Sequence, residues 1–209
     1  MLIARILSPV HSLGPGERVC IWTQGCSKHC AGCISPEMQP FSGNEIDEAI
    51  LADIIIQVAQ KSNCKGITIS GGDPFEQPAS LLKLLKLLHN KINDILVYTG
   101  FEFSNIKSGS LGLDARMCLE YLDVLIDGKY IDELNYSDCV LRGSANQTIY
   151  FINKNLIPIY SEYMKKGRIL ENFIHNQNII ITGILSKEGE NERKFNSEMA
   201  ARTGIISGD

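Results

Sequence analysis

The sequence predicts an α/β fold with a parallel sheet, and three observations carry that prediction. Short β-branched runs at Lys65–Ser70, Asp94–Thr99 and Asp123–Ile126 alternate with longer stretches whose apolar residues recur at helical spacing. Parallel neighbours need a crossover long enough to hold a helix, so this alternation marks successive βα units. Glycine closes the first two runs, at Gly71-Gly72 and Gly100, and a loop rich in cysteine follows a run ending at Thr23. These loops lie at the carboxy ends of strands, where parallel folds place their sites.

Taken in order, Met1–Leu7 and Arg18–Thr23 read as strands separated by the turn signal Gly14-Pro15-Gly16. Ser42 and Glu45 have the spacing of a capping box, which predicts a helix over about 44–61 with Ile46, Ala49, Ile50, Ile54 and Val58 on its apolar side. Pro78 suits the first turn of a helix whose leucines, Leu81 to Leu88, belong to the core, and Leu113–Leu122 is a further helix. After Asp127 the pattern changes. Cys139–Arg142 and Thr148–Ile152 flank Gly143-Ser144-Ala145-Asn146 and read as strand, turn and strand. Ile157–Met164 starts a strand or helix, Asn178–Leu185 is apolar and β-branched and is expected to add a strand to the sheet, and a polar end begins at Ser186.

At 209 residues, 44% hydrophobic and 21% charged, the chain has the composition of a soluble protein with one domain. A net charge of −4 with no block of lysine or arginine excludes a nucleic-acid or membrane surface as the expected partner. The first residues are too short and wrongly ordered for a signal peptide, and no apolar run approaches ~18 residues, so a cytoplasmic location is expected. Seven cysteines, an odd number, then argue for reduced thiols rather than a disulfide framework.

Three of those thiols, Cys26, Cys30 and Cys33, fall within eight residues. Their Cys-x3-Cys-x2-Cys spacing is that of a metal or cluster loop, and soft thiolates select iron-sulfur centres or zinc over hard cations. Three cysteines leave one metal position free for a ligand that is not protein, and an open position means chemistry. Cys20, Cys64, Cys118 and Cys139 stand alone in apolar segments and are expected to pack as small hydrophobes, with Trp22 in the core beside the cysteine loop.

About 40 residues after the loop, Ser70-Gly71-Gly72-Asp73-Pro74 follows an apolar run, and the two motifs together resemble the radical S-adenosyl-L-methionine (SAM) superfamily. The order of Gly14–Arg18, the cysteine loop, Gly66–Pro74, Tyr98-Thr99-Gly100, Val124–Lys129 and Leu141–Gln147 is similar to that in activating proteins of the anaerobic (class III) ribonucleotide reductase, over roughly residues 1–152. The resemblance implies a partial, open βα barrel of the radical SAM type with a C-terminal extension over about 153–209. It implies one 4Fe-4S cluster on Cys26, Cys30 and Cys33, and SAM held by Gly32, Cys33, Ile34, Gly71, Gly72, Asp73, Thr99, Asp127 and Arg142. Gly32 replaces the aromatic residue common in the superfamily and matches the reductase activators.

The activity so implied is reductive cleavage of SAM to a 5'-deoxyadenosyl radical that creates a glycyl radical on a partner enzyme, with a flavodoxin- or ferredoxin-type electron donor. Direct radical modification of a small molecule or peptide is the alternative, since an extension of more than 50 residues could form its own substrate surface. A zinc module completed by His29 or His11 and binding a partner protein is the third reading.

Overall fold

In the computed structural model, which describes residues 1–175 and 178–185, the chain alternates strands and helices as expected. It runs through β1 (Leu2–Val10), β2 (Arg18–Thr23), β3 (Asn44–Glu45), α1 (Glu48–Lys61), β4 (Gly66–Gly71), α2 (Pro78–Leu88) and β5 (Ile95–Tyr98). Then follow α3 (Phe103–Ser108), α4 (Leu113–Cys118), β6 (Val124–Asp127), β7 (Thr148–Phe151), α5 (Ile157–Met164), β8 (Leu170–His175) and β9 (Asn178–Gly183). Seven strands form one sheet in the order β3-β1-β2-β4-β5-β6-β7. Its centre, β2, β4, β5 and β6, is parallel, whereas β1, β3 and β7 join antiparallel. All six residues of β2 are buried, as a strand covered on both faces requires. The register from Arg18↔Gly66 to Thr23↔Gly71 brings the carboxy ends of β2 and β4 level, which is what places the cysteine loop beside Gly71-Gly72.

The first helix differs from its expectation in start and in phase. Asp47 caps α1, its carboxylate accepting from the N–H groups of Ala49 at 2.8 Å and Ile50 at 3.3 Å. Asn44 and Glu45 instead pair with Ile3 and Leu2 as a strand, a tertiary contact that overrides the Ser42–Glu45 pattern. The buried stripe is therefore Leu51, Ala52, Ile55 and Ala59, while Ile50 and Ile54 are 59% and 38% exposed. In α2 the pattern was plain: Leu81, Leu82, Leu84, Leu85 and Leu88 are buried against α1, α4 and the sheet.

Cys139–Arg142 is not a strand. Leu141 takes φ of 63°, buries its side chain beside Leu96 and Val124, and offers its carbonyl to the Tyr98 hydroxyl at 2.9 Å. Nor does Asn178–Leu185 extend the sheet. β9 pairs with β8, its neighbour in sequence, in a separate two-stranded sheet, a pairing that closes a far shorter loop than one with the distant sheet edge. The helix α5 belongs to the core, because Tyr160 and Tyr163 are buried against β5 and β6. The polar segment from Ser186 lies outside the described residues. No helix among the described residues is long and apolar enough to cross a membrane.

At the amino end of the sheet, Arg18 is fully buried. It donates to both carboxylate oxygens of Asp94 at 2.5 and 3.2 Å, to Thr68 Oγ1 at 2.7 Å and to the Ile67 carbonyl at 2.5 Å. The Tyr160 hydroxyl donates to the same Asp94 at 2.8 Å.

Candidate functional site

The opposite end of the same strands is built differently. Beyond β2, Gly25 N–H donates to the Met38 carbonyl at 2.8 Å and Cys26 N–H to that of Gln39 at 2.9 Å, so residues 25–39 form a loop pinned at its base. Gln24 reinforces the base, its amide donating to the carbonyls of Glu37 at 3.1 Å and Pro40 at 2.9 Å. Inside the loop Cys26, Cys30 and Cys33 are half-buried, unlike Cys20, Cys64, Cys118 and Cys139, which are buried as expected of small hydrophobes. Burial pushes the Cys26 and Cys30 thiols up, and the backbone N–H groups of Lys28 and Tyr130 pull the other way.

All three cysteines line one cavity of about 700 Å³, together with Gly32, Ile34, Gly71, Gly72, Asp73 and Thr99. Gly72 owes its identity to the base of the cysteine loop and Gly71 to the end of β2. A Cβ at Gly72 would stand 2.3 Å from the Gly25 carbonyl oxygen and 2.8 Å from that of Met38, and one at Gly71, where φ is 112°, 2.3 Å from Thr23 N. The loop base lies directly on Gly72, and Asp73 N–H donates to the Gly25 carbonyl at 2.9 Å.

Asp73 is itself buried and serves as a hub. Its carboxylate accepts from Phe75 N at 3.0 Å, Gly100 N at 2.9 Å and Thr99 Oγ1 at 2.9 Å. Burial raises its pKa from 3.8 to about 6 despite these donors and Lys28 at 3.9 Å. Lys28 Nζ stands 2.9 Å from Glu76 and 3.1 Å from the centroid of the Phe101 ring, and Ser27 donates to the same Glu76 through both its N–H and its hydroxyl. Burial works to raise the Glu76 pKa, but the donors from Ser27 and Lys28 bring it below its ordinary value. The cysteine loop is thus tied to the turn after Gly-Gly-Asp-Pro by charge as well as by backbone.

Two residues that the resemblance assigned to SAM stand elsewhere. Asp127 accepts from Phe103 N at 2.7 Å and Thr148 N at 3.1 Å and holds β6 to its neighbours, and Arg142 donates to the Gln147 carbonyl at 3.1 Å. Neither lines the cavity. Asp127 ends β6, as read, whereas Arg142 lies in the loop before β7, and the polar atoms of both are turned to the local backbone. In their place the cavity wall has Lys28, Tyr130, Asp132, Asn135 and the stretch Ile179–Leu185. Tyr130 donates to Asp132 at 2.7 Å, and both abut Gly32, where a Cβ would lie 3.0 Å from Asp132 Oδ1. No local pattern marks Tyr130 and Asp132, which meet Gly32 across more than 90 positions of sequence.

The donor set suits a 4Fe-4S cluster. Three thiols outside any disulfide share one cavity with Gly71 and Gly72, and two of them are faced by backbone N–H groups. Among the described residues no three His, Cys, Asp or Glu side chains gather on a single ion. A four-iron cluster takes each thiolate on a separate iron, so its ligands stand apart.

The three thiols and the cavity they share define the site as that of an iron-sulfur protein. A family model described as a 4Fe-4S single cluster domain matches residues 12–150. The anaerobic ribonucleoside-triphosphate reductase-activating protein of Pasteurella multocida is 34% identical over 143 residues, which cover 66% of this chain and 89% of that protein. That of Haemophilus influenzae is 35% identical over 144 residues with the same coverage, and that of enterobacteria phage T4 is 32% identical over 148, covering 66% and 85%. The chain belongs to the family of anaerobic ribonucleoside-triphosphate reductase-activating proteins.

Proposed function

We propose that this chain uses one 4Fe-4S cluster and SAM to create a glycyl radical on a partner anaerobic ribonucleoside-triphosphate reductase. The observation that carries the reading is the meeting of Cys26, Cys30 and Cys33 with Gly71, Gly72 and Asp73 in one cavity, in a chain that spans nearly all of its activating relatives. When bound, the cluster and SAM supply an electron and a 5'-deoxyadenosyl radical that takes a hydrogen atom from glycine.

The protein's own residues hold and aim that chemistry. The three thiolates would hold three irons of the cluster and leave the fourth open to SAM, and Gly32, Cys33, Ile34, Gly71 and Gly72, which line the same cavity, would bind SAM. Asp73 keeps Thr99 and Gly100 against that backbone, and the Lys28–Glu76 pair keeps the cysteine loop closed on it. The seven-stranded sheet, open between β3 and β7 among the described residues, is read as the partial barrel of the radical SAM type. One domain spans 1–209, with a core over about 1–152 and an extension after it. A flavodoxin or ferredoxin suits the need for single electrons, and free thiols with an oxygen-labile cluster suit the reducing cytoplasm.

Anaerobic reconstitution tests the reading. About four irons per chain are expected, and on mixing with SAM, a reductant and the reductase from the same genome, the doublet of a glycyl radical by electron paramagnetic resonance. A colourless protein with a single zinc, or a reductase left without radical, overturns it.

A further inference from the structure

The hairpin β8–β9 lies beyond the segment matched by the family model, yet seven consecutive residues, Ile179 to Leu185, line the cavity of the cysteines. Alternate side chains of a strand point to opposite faces, so a wall made of consecutive residues is a strand seen along its edge. One face of the hairpin packs on the rest of the chain and the other is open to solvent. On one, Glu171 accepts from His11 N and Ser12 N at 2.7 Å each, the hydroxyls of Thr182 and Ser12 meet at 2.9 Å, and Phe173 and Ile184 pack on the core beside Trp22. On the other, the cross-strand pair Ile174 and Ile179 is 83% and 67% exposed. β8 covers one edge of β9 along its whole length, and no residue of β8 lines the cavity. Among the described residues the other edge of β9 pairs with no strand.

The chain just after that edge is anchored beside the rim of the cysteine loop. The Leu185 carbonyl accepts from Arg168 at 2.8 Å and from Asn135 Nδ2 at 3.0 Å, and Asn135 also donates to Tyr130, whose ring abuts Gly32.

We infer that the free edge of β9 is the docking strand for the reductase: an extended segment carrying the radical glycine pairs with it as a third strand across the cavity mouth. The inference rests on the activating function proposed above. Glycine has no side chain, so a site that selects it must hold the flanking backbone, and a strand edge offers the row of N–H and C=O groups that does so. Asn178–Leu185 carries no charge, which fits a partner segment with apolar flanks. Strand pairing uses the hydrogen bonds of every second residue of the added segment, so the contact has a period of two.

The test uses the reconstituted full-length chain and synthetic peptides from the reductase of the same genome, spanning its radical glycine, each methylated at one backbone nitrogen. Binding is measured by fluorescence anisotropy without turnover. Methylation at every second position should weaken binding about tenfold and at the intervening positions less than about twofold. The unmethylated peptide should also slow hydrogen exchange at residues 179–184 and leave that of 170–174 unchanged. A flat methylation profile, no binding, or exchange at 179–184 already slow without peptide, which would assign the edge to the chain's own residues after 185, each overturns the inference. The same preparation is assayed for radical on the intact reductase. Radical formation with a flat profile overturns the docking strand alone, whereas absence of the radical overturns the activating function and the docking strand with it.

Discussion

The two ends of the central strands hold polar groups of opposite character. At the amino end, Arg18, Asp94, Thr68 and Tyr160 bond to one another, all buried and all partnered. At the carboxy end, Cys26, Cys30 and Cys33 are half-exposed without partners in disulfides, and the backbone beside them is bare of side chains at Gly71 and Gly72. A closed polar network has nothing left to offer a ligand and acts on stability, while an open set of thiols contributes little to folding and acts on chemistry. The comparison teaches that burial and satisfaction, more than residue type, separate scaffold from site along one strand.

The largest effect that would break this comparison is on the cluster. Cys26→Ala, Cys30→Ala and Cys33→Ala should each abolish SAM cleavage and lose most of the iron, with apoprotein stability changed by less than about 1 kcal/mol. Alanine at Cys20, Cys64, Cys118 or Cys139 should retain iron. Equal loss of iron from Cys64→Ala would show that the buried thiols are not merely packed.

At the closed end the order reverses. Arg18→Met leaves the Asp94 carboxylate buried without its cation and should cost about 3–5 kcal/mol in urea unfolding, with no specific effect on iron content in the folded fraction. A cost below about 1 kcal/mol would mean that water enters the network and the end is not closed.

Gly72→Val probes the seam between the cysteine loop and the sheet. On sequence grounds it should weaken SAM binding and spare the cluster, but the 2.3 Å approach of Gly25 makes that separation unattainable. Iron content and SAM affinity should fall together, the loop base being displaced by any side chain. Full iron with weakened SAM binding would restore the simpler view of Gly72 as a cofactor contact alone.

A smaller effect comes from Asp73, whose pKa is raised by burial from 3.8 to about 6. The folded protein then holds this proton more tightly than the unfolded chain, so the stabilisation is full below pH about 4 and is lost as pH rises through about 6. The span of about two units corresponds to roughly 3 kcal/mol. Urea unfolding of the apoprotein should show this decline relative to Asp73→Asn, and parallel pH profiles for the two proteins would refute it. The smallest change is expected at the hairpin tip, where Ile174→Ser should alter stability by less than about 0.5 kcal/mol and leave iron untouched.

Much of this was legible in the sequence. The cysteine spacing, the strands before each site loop and the leucine face of α2 are local patterns, and each occurs where its periodicity or punctuation puts it. The start of α1 was not legible locally: the Ser42–Glu45 spacing suits a capping box, but pairing of Asn44 and Glu45 with β1 draws that stretch into a strand and leaves Asp47 to cap the helix. Asp127 and Arg142 stand outside the cavity for a related reason. A polar residue at a strand end, like Asp127, or in a loop, like Arg142, is equally suited to a ligand or to neighbouring N–H and C=O groups, and here the backbone claims both.

By itself the sequence determined the class of chemistry, because ligand type and spacing are covalent properties of a short loop, and it determined the alternating elements, because helical and strand periods are local. Tertiary structure decided why Gly71 and Gly72 must be glycine, where Lys28 finds Glu76, and that β9 stands as an edge on the cavity instead of a strand in the sheet. These depend on surfaces brought together from distant parts of the chain, and such contacts leave no period in the residues that make them.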